Sequence, residues 1–272
     1  MARKNEEKKA PLSARTIRRL VGAPIPLPEV YKAIDSTNNR AKEKAEAGAP
    51  SGFAVLADAQ TAGRGRLGRR FYSEGGNGLY ISVVLRPDLS PDKLPLVTAY
   101  AAVAAADALE SLCPTLSVGL KWVNDLFLDE KKVGGILTEA AFRTDLEGLS
   151  YCVVGIGINL TGEIPAAIRD IAVTVEEHAP PPTRNALAAA IISRLLCMEG
   201  AILSGEFLQE YRRRSILKNR MVRVLDGEAS CVARVLGIED DASLRVLTED
   251  GREVCLSAGE VSLSLASQDG GK

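Results

Sequence analysis

The sequence predicts an α+β fold, with a mixed, mostly antiparallel central sheet and flanking helices, followed by a small C-terminal β-barrel. Three observations point there. Apolar and β-branched runs follow one another between Phe53 and Gly155 with few helical patterns among them. Beyond Met221 the texture changes to short strands with tight turns at Asp226-Gly227, Asp240-Asp241 and Asp250-Gly251, the pattern of a small barrel. A chain of 272 residues is too long for one minimal domain and suits one large domain plus a small one. The expected division is a tail and connector over 1–28, a main domain over 29–218 and the barrel over 219–268.

Each element has its local reason. Residues 1 to about 11 read as a solvated tail, and Leu12 to Val21 carries a short helical pattern ended by Gly22. Pro24 to Pro28 is an extended connector. Ser36 or Thr37 caps a helix through Asn39 to Ala47, closed by Gly48. Phe53 to Ala57 is a strand, and Leu79 to Leu85 a second one that stops before Pro87. A long alanine-rich helix runs from about Pro91 to Leu112. Val118 to Trp122, Asp125 to Leu128 and Val133 to Ala141 are strand-like, with a hairpin turn at Asp129-Glu130-Lys131, and Tyr151 to Gly155 is another strand. From Thr183 to about Asn219 two helical patterns are divided at Ser204-Gly205.

Composition excludes several classes of function. Thirty-four basic against thirty-five acidic residues give a net charge of −1, which argues against a general polyanion binder, so any phosphate site is local. Cys113, Cys152, Cys197, Cys231 and Cys255 form no CxxC pair, and are expected to be buried small hydrophobes in a reducing compartment. The opening MARKNEEKKA lacks the apolar core of a signal peptide, and no apolar run is long enough to span a membrane. A cytoplasmic protein is therefore expected.

The densest chemistry lies in Gly63-Arg64-Gly65-Arg66-Leu67-Gly68-Arg69, three glycines and three arginines in seven residues. Glycines let a backbone approach a ligand closely, and guanidinium forks match phosphate or carboxylate oxygens. The spacing Gly63-x-Gly65-x-x-Gly68 also fits a dinucleotide fingerprint, but that motif must open a helix. Arg69 to Gly78 reads as loop instead. Two further segments stand out: Lys121-Trp122-Val123-Asn124-Asp125 with Lys132-Val133-Gly134-Gly135 after it, and Gly155-Ile156-Gly157-Ile158-Asn159. Taken alone, Asn124-Asp125 reads equally well as a turn.

Together, in this order, these segments resemble the biotin-protein ligase family. The landmarks are Asp35-Ser36-Thr37-Asn38, Gln60-x-x-Gly63-Arg64-Gly65-Arg66-x-Gly68-Arg69, Lys121-Trp122-x-Asn124-Asp125, Lys132-x-x-Gly135-Ile136-Leu137-x-Glu139 and Gly155-x-Gly157-Ile158-Asn159. The likeness is firm from about Ile34 to Leu160 and looser to the end, where Ala258 to Leu263 resembles the family's last barrel strand. Val123 stands where the family usually has proline, Leu67 where many members have arginine, and Phe71 where tryptophan is common.

The resemblance implies a class II synthetase-like ligase fold with an SH3-like barrel, and a ligase that activates biotin as biotinyl-5'-AMP with ATP and Mg2+. It would then transfer biotin to a lysine of a biotin carboxyl carrier protein domain of acetyl-CoA carboxylase or a related carboxylase. Carried over by position, Lys132, Arg66 and Asp125 would be catalytic, with Asp125 also the magnesium ligand. Biotin would meet Ser36, Thr37, Asn38, Gln60, Gly63, Arg64, Lys132, Gly135 and Gly155. ATP and the adenylate would meet Arg64, Arg66, Arg69, Asn124, Lys132 and Asn159. The resemblance also allows a homodimer. The nearest rival is a lipoate-protein ligase. A biotin-responsive DNA-binding repressor is disfavoured, because the roughly 35 residues before Ser36 are too few for a winged helix. His178, the single histidine, lies far from every landmark and reads as an exposed loop residue.

Overall fold

Apolar and β-branched runs build the central sheet, whose β-strand over Gly78–Leu85 is buried on both faces. In the computed structural model, which describes residues 11–143, 148–226, 229–257 and 260–263, seven strands share one sheet. They are β1 (Glu29–Ile34), β2 (Ala54–Gln60), β3 (Gly78–Leu85), β4 (Val118–Lys121), β5 (Asp125–Leu128), β6 (Lys131–Phe142) and β7 (Leu149–Asn159). Their order is β1-β2-β3-β7-β6-β5-β4; β1 runs parallel to β2 and every other neighbour is antiparallel, as the sequence leads one to expect.

Helices cover both faces. Leu79, Ile81, Val83 and Leu85 of β3, with Cys152, Val154, Ile156 and Ile158 of β7, enter the main core. That core lies beneath α3 (Leu94–Leu112) and α4 (Arg184–Leu195). Seven buried alanines of α3, Ala99 to Ala108, let the helix approach the sheet closely. The opposite face packs α2 (Thr37–Glu46) through Ala41 and Ala45 on Val55, Val84, Tyr151 and Val153. The short α1 (Ala14–Val21), capped by Ser13 and ended by Gly22 at φ 71°, docks on α4 through Ile17 and Val21. Burying two such side chains contributes about 3 to 6 kcal/mol in all, enough to hold an eight-residue helix that is marginal alone.

The second sheet holds β8 (Met221–Asp226), β9 (Ala229–Ile238), β10 (Leu244–Thr248), β11 (Glu253–Leu256) and β12 (Glu260–Leu263), antiparallel throughout in the order β11-β10-β9-β8-β12. This is consistent with the SH3-like expectation. Gly227, Ala258, Gly259, the tail to residue 10 and residues 264–268 lie outside the described residues.

Two expectations need correction. The stretch after Thr183 holds three helices rather than two: α4, α5 (Met198–Ser204) and α6 (Phe207–Arg214). The extra break at Leu196-Cys197 bends the axis by 49° and brings Met198 and Ile202 into the core. Only Cys113 and Cys152 are buried; Cys197 sits at that break, and Cys231 and Cys255 lie on exposed positions of the second sheet. Cys231 falls on the exposed side of its strand, and β11 is an edge strand whose Glu253, Val254 and Cys255 are all exposed. Among the described residues no single helix is long and apolar enough to cross a membrane.

Candidate active site

The site opens where alternation runs into glycine. On the α2 face β7 places Tyr151 and Val153, then Gly155 and Gly157, and its neighbour β6 sets Gly135 directly opposite Gly157. Without side chains there, the sheet becomes the floor of a cavity of about 470 Å³. A Cβ on Gly155 would land on Asn38 Oδ1, and one on Gly157 would meet the Phe71 ring at 2.6 Å. Both positions therefore require glycine for close approach.

One end of the cavity is a network of neutral polar groups. Ser36, Thr37 and Asn38 start α2 and are almost fully buried. The Thr37 N–H donates to Gln60 Oε1 at 2.8 Å, with the Thr37 hydroxyl 3.1 Å from the same oxygen. Gln60 Nε2 donates to Ser73 Oγ at 3.0 Å. From β3 the buried Ser82 hydroxyl lies 2.8 Å from Thr37 Oγ1 and 2.6 Å from Asn38 Oδ1. Asn38 Nδ2 donates to Glu139 Oε2 at 2.9 Å and to the Leu137 carbonyl at 3.2 Å. Ser36 makes no capping bond with its hydroxyl, which lines the cavity.

The other end is charged. The tight β4–β5 hairpin carries Asn124 and Asp125, and β6 returns Lys132, whose Nζ donates to Asp125 Oδ1 at 2.6 Å. Asn124 is pinned by exchange with Ile136: its Nδ2 donates to the Ile136 carbonyl and its carbonyl accepts from the Ile136 N–H, each at 2.8 Å. The Lys132 backbone is held by a strap, accepting from the Val173 N–H and donating to the Ile171 carbonyl. Behind the hairpin, Trp122 Nε1 donates to the Ala242 carbonyl, in the turn between β9 and β10, at 2.8 Å, and the Tyr211 hydroxyl donates to the Val123 carbonyl at 3.0 Å. The Trp122–Val123 peptide is cis. The second sheet also lends Val261 to the cavity wall.

The glycine and arginine loop roofs this end. It is a narrow excursion in which Gly65 N–H donates to the Arg69 carbonyl and Phe71 N–H to the Gly63 carbonyl, turning at Arg66–Gly68 with Leu67 at φ 54°. No helix follows before β3, which removes the dinucleotide reading. Arg66 Nη1 donates to Asn124 Oδ1 at 3.4 Å, joining roof to hairpin. Six cationic side chains line the cavity, Arg64, Arg66, Arg69, Arg70, Lys121 and Lys132, against the carboxylates Asp125, Glu130 and Asp170. A chain of net charge −1 thus holds a local positive field suited to anions.

Of the residues singled out in the sequence, Ser36, Thr37, Asn38, Gln60, Arg64, Arg66, Arg69, Asn124, Asp125, Lys132, Gly135 and Gly155 meet around this cavity. Gly63 and Asn159 are not in its wall. Gly63 sits against Phe71 and Ser73 behind the roof, and Asn159 donates to the Val173 carbonyl at 3.3 Å. Ser82 and Ser73 belong to the site's support without having been singled out, and Trp122, a landmark residue with no role assigned to it, backs the hairpin. His178 is exposed, 3.5 Å from Asp129.

Comparison with known proteins identifies relatives over most of the chain. The profile of the Biotin/lipoate A/B protein ligase family matches residues 30–159. The bifunctional ligase/repressor BirA of Bacillus spizizenii is 34% identical over 236 residues, 83% of this chain and 70% of that protein. The biotin–[acetyl-CoA-carboxylase] ligase of Mycobacterium tuberculosis is 30% identical over 264 residues, 92% of this chain and 95% of that one. The solved biotin protein ligase of Aquifex aeolicus in complex with biotin and ATP superposes with a TM-score of 0.73 at 30% identity, covering 87% of this chain and 97% of that one.

Proposed function

Because this chain belongs to the biotin-protein ligase family and is a ligase, we propose that it activates biotin as biotinyl-5'-AMP and passes it to a lysine of a biotin carboxyl carrier domain. The observation that carries this reading is the pairing of a neutral polar end with a cationic end that holds Lys132, in one glycine-floored cavity. Biotin has a neutral ureido ring and an anionic tail, and adenylation must bring that tail against an anionic α-phosphate. The relative from Aquifex aeolicus was solved with both biotin and ATP.

In the first step the carboxylate attacks the α-phosphate and pyrophosphate leaves. A cation about 4 Å from the developing charge contributes on the order of 4 kcal/mol at an effective dielectric of about 20, before desolvation. Lys132 is placed as a compact point charge for this, steered by Asp125; Arg66 and Arg69 would hold phosphate from the roof. Ser36, Thr37, Asn38, Gln60, Arg64 and the Gly135 and Gly155 backbone would hold biotin, and Asn124 the nucleotide. In the second step the carrier lysine attacks the acyl carbonyl, AMP leaves, and Asp125 assists removal of the amine proton. Closing over the bound ligands, the roof would keep water from the anhydride.

A resident metal cage does not fit, since among the described residues no group of three His, Cys, Asp or Glu side chains gathers. An ion arriving on the nucleotide phosphates does fit, because Mg2+ takes only one or two protein carboxylates there and Asp125 faces the cavity. Bound so, it would neutralise phosphate charge. The reading includes a cytoplasmic location. Exchange of labelled pyrophosphate into ATP, run with biotin and separately with lipoate, tests it: biotin-dependent exchange is expected, and exchange with lipoate alone transfers the assignment to the lipoate branch.

A further inference from the structure

One carboxylate joins the two ends of the cavity without an assigned task. Glu139 stands on β6 with its side chain 19% exposed. It accepts from Asn38 Nδ2 at 2.9 Å and Lys42 Nζ at 3.0 Å, both on α2, and from Arg64 Nη1 of the roof at 3.2 and 3.3 Å. The same Arg64 nitrogen donates to Asn39 Oδ1 at 2.9 Å. Burial pushes the Glu139 carboxyl up, but the bonds from Asn38 and Lys42 and the charge of Arg64 outweigh it and hold it below its ordinary value. It is therefore an anion at neutral pH. An anion beside a cavity built for anions weakens the local field, so charge alone gives no reason for it.

We propose that Glu139 is a positioning residue: together with Asn39 it grips one nitrogen of Arg64, fixing the guanidinium and the base of the roof so that the remaining donors are presented, pre-oriented, to the ligand carboxylate. The proposal rests on the biotin ligase reading above. An arginine left to itself at a cavity mouth samples many rotamers, and ordering them on binding subtracts from affinity. Held in advance by Glu139 and Asn39, Arg64 avoids that loss. Lys42 takes up the second carboxylate oxygen and prevents Glu139 from swinging into the cavity.

Positioning and plain electrostatics predict opposite signs, which makes the idea testable. Glu139→Gln keeps the length and an acceptor for Asn38 but removes the anion. Were charge its only effect, the variant would bind biotin more tightly. Positioning predicts that biotin affinity falls about fivefold, the scale of a partly exposed ion pair, while the melting temperature holds. The test is calorimetric titration of biotin into the full chain and into Glu139→Gln, Arg64→Met and the double variant. The loss from Glu139→Gln should vanish in the Arg64→Met background. Asn39→Ala, which removes the other acceptor of that Arg64 nitrogen, should weaken biotin in the same direction and serves if Glu139→Gln does not fold. Unchanged or tighter binding by Glu139→Gln, or full additivity in the double variant, overturns the positioning role. Absence of biotin binding in the unsubstituted chain overturns the substrate reading with it.

Discussion

The two ends of the cavity are built by opposite strategies. At the α2 end, Ser36, Thr37 and Asn38 are 2 to 4% exposed, and Thr37, Asn38, Gln60, Ser73 and Ser82 hydrogen-bond one another. At the hairpin and roof end, the Arg64 and Lys132 side chains are 43% and 34% exposed. Neutral hydroxyls and amides can be buried before a ligand comes, provided each finds a partner. A guanidinium or ammonium cannot be dried out so cheaply without its anion. The neutral end is therefore finished in advance, whereas the cationic end stays hydrated until the anionic reactants arrive.

The largest effect should come from breaking the cationic end. Lys132→Ala is expected to slow adenylate formation by about a hundredfold or more while biotin affinity changes much less. Equal losses in both would move Lys132 from catalysis to binding. At the neutral end, Gly155→Ala places a methyl group on the Asn38 amide and forces the network apart. Such overpacking costs about 1 to 3 kcal/mol, so both the melting temperature and biotin affinity should fall together. A variant that loses affinity at full stability would show that the network is more plastic than its bonds suggest.

The contrast also explains what the sequence disclosed. Apolar and β-branched runs and the absence of a helix after Gly68 were legible because they are local patterns, and Arg64, Arg66, Asn124, Asp125 and Lys132 stood out as charged or amide residues near glycines and turns. The supports did not stand out. Ser82 is one serine in an apolar strand, and it matters only because β3 faces Thr37 and Asn38 across 45 and 44 residues of chain. Trp122 was visible as a landmark, but its partner is a carbonyl 120 residues away. Glu139, a carboxylate on an otherwise apolar strand face, was visible as a family landmark, but its partners Lys42 and Arg64 come from two other elements. Asn159 was expected at the nucleotide and is found tethering the strap beside Lys132.

A smaller effect is expected behind the hairpin. Trp122→Phe keeps an aromatic side chain but loses part of the buried indole and the bond to Ala242, leaving a buried carbonyl unsatisfied at about 1 to 3 kcal/mol. Because that bond backs the turn carrying Asn124 and Asp125, KM for ATP should rise more than KM for biotin in steady-state exchange. A change confined to biotin would place the second sheet's influence at the wrong end.

The smallest effect concerns a surface cluster beside the finished end, where Glu29 of β1 pairs with Arg40 and Lys44 of α2 at 3.0 and 2.7 Å. Burial pushes the Glu29 carboxyl up, but the bonds from Lys44, Tyr31 and Arg40 prevail and bring it from 4.5 to about 2. A carboxyl whose folded value is lowered stabilises the fold above its unfolded value, and that contribution is lost as the pH falls from about 4.5 towards 2. With all three side chains a quarter to a third exposed, solvent screening limits it to about 1 kcal/mol or less. Glu29→Gln should therefore melt slightly below the parent at pH 7, and the gap should close on acidification. A gap that stays constant with pH would mean that hydrogen-bond shape rather than charge holds α2, and with it Ser36 to Asn38, against β1.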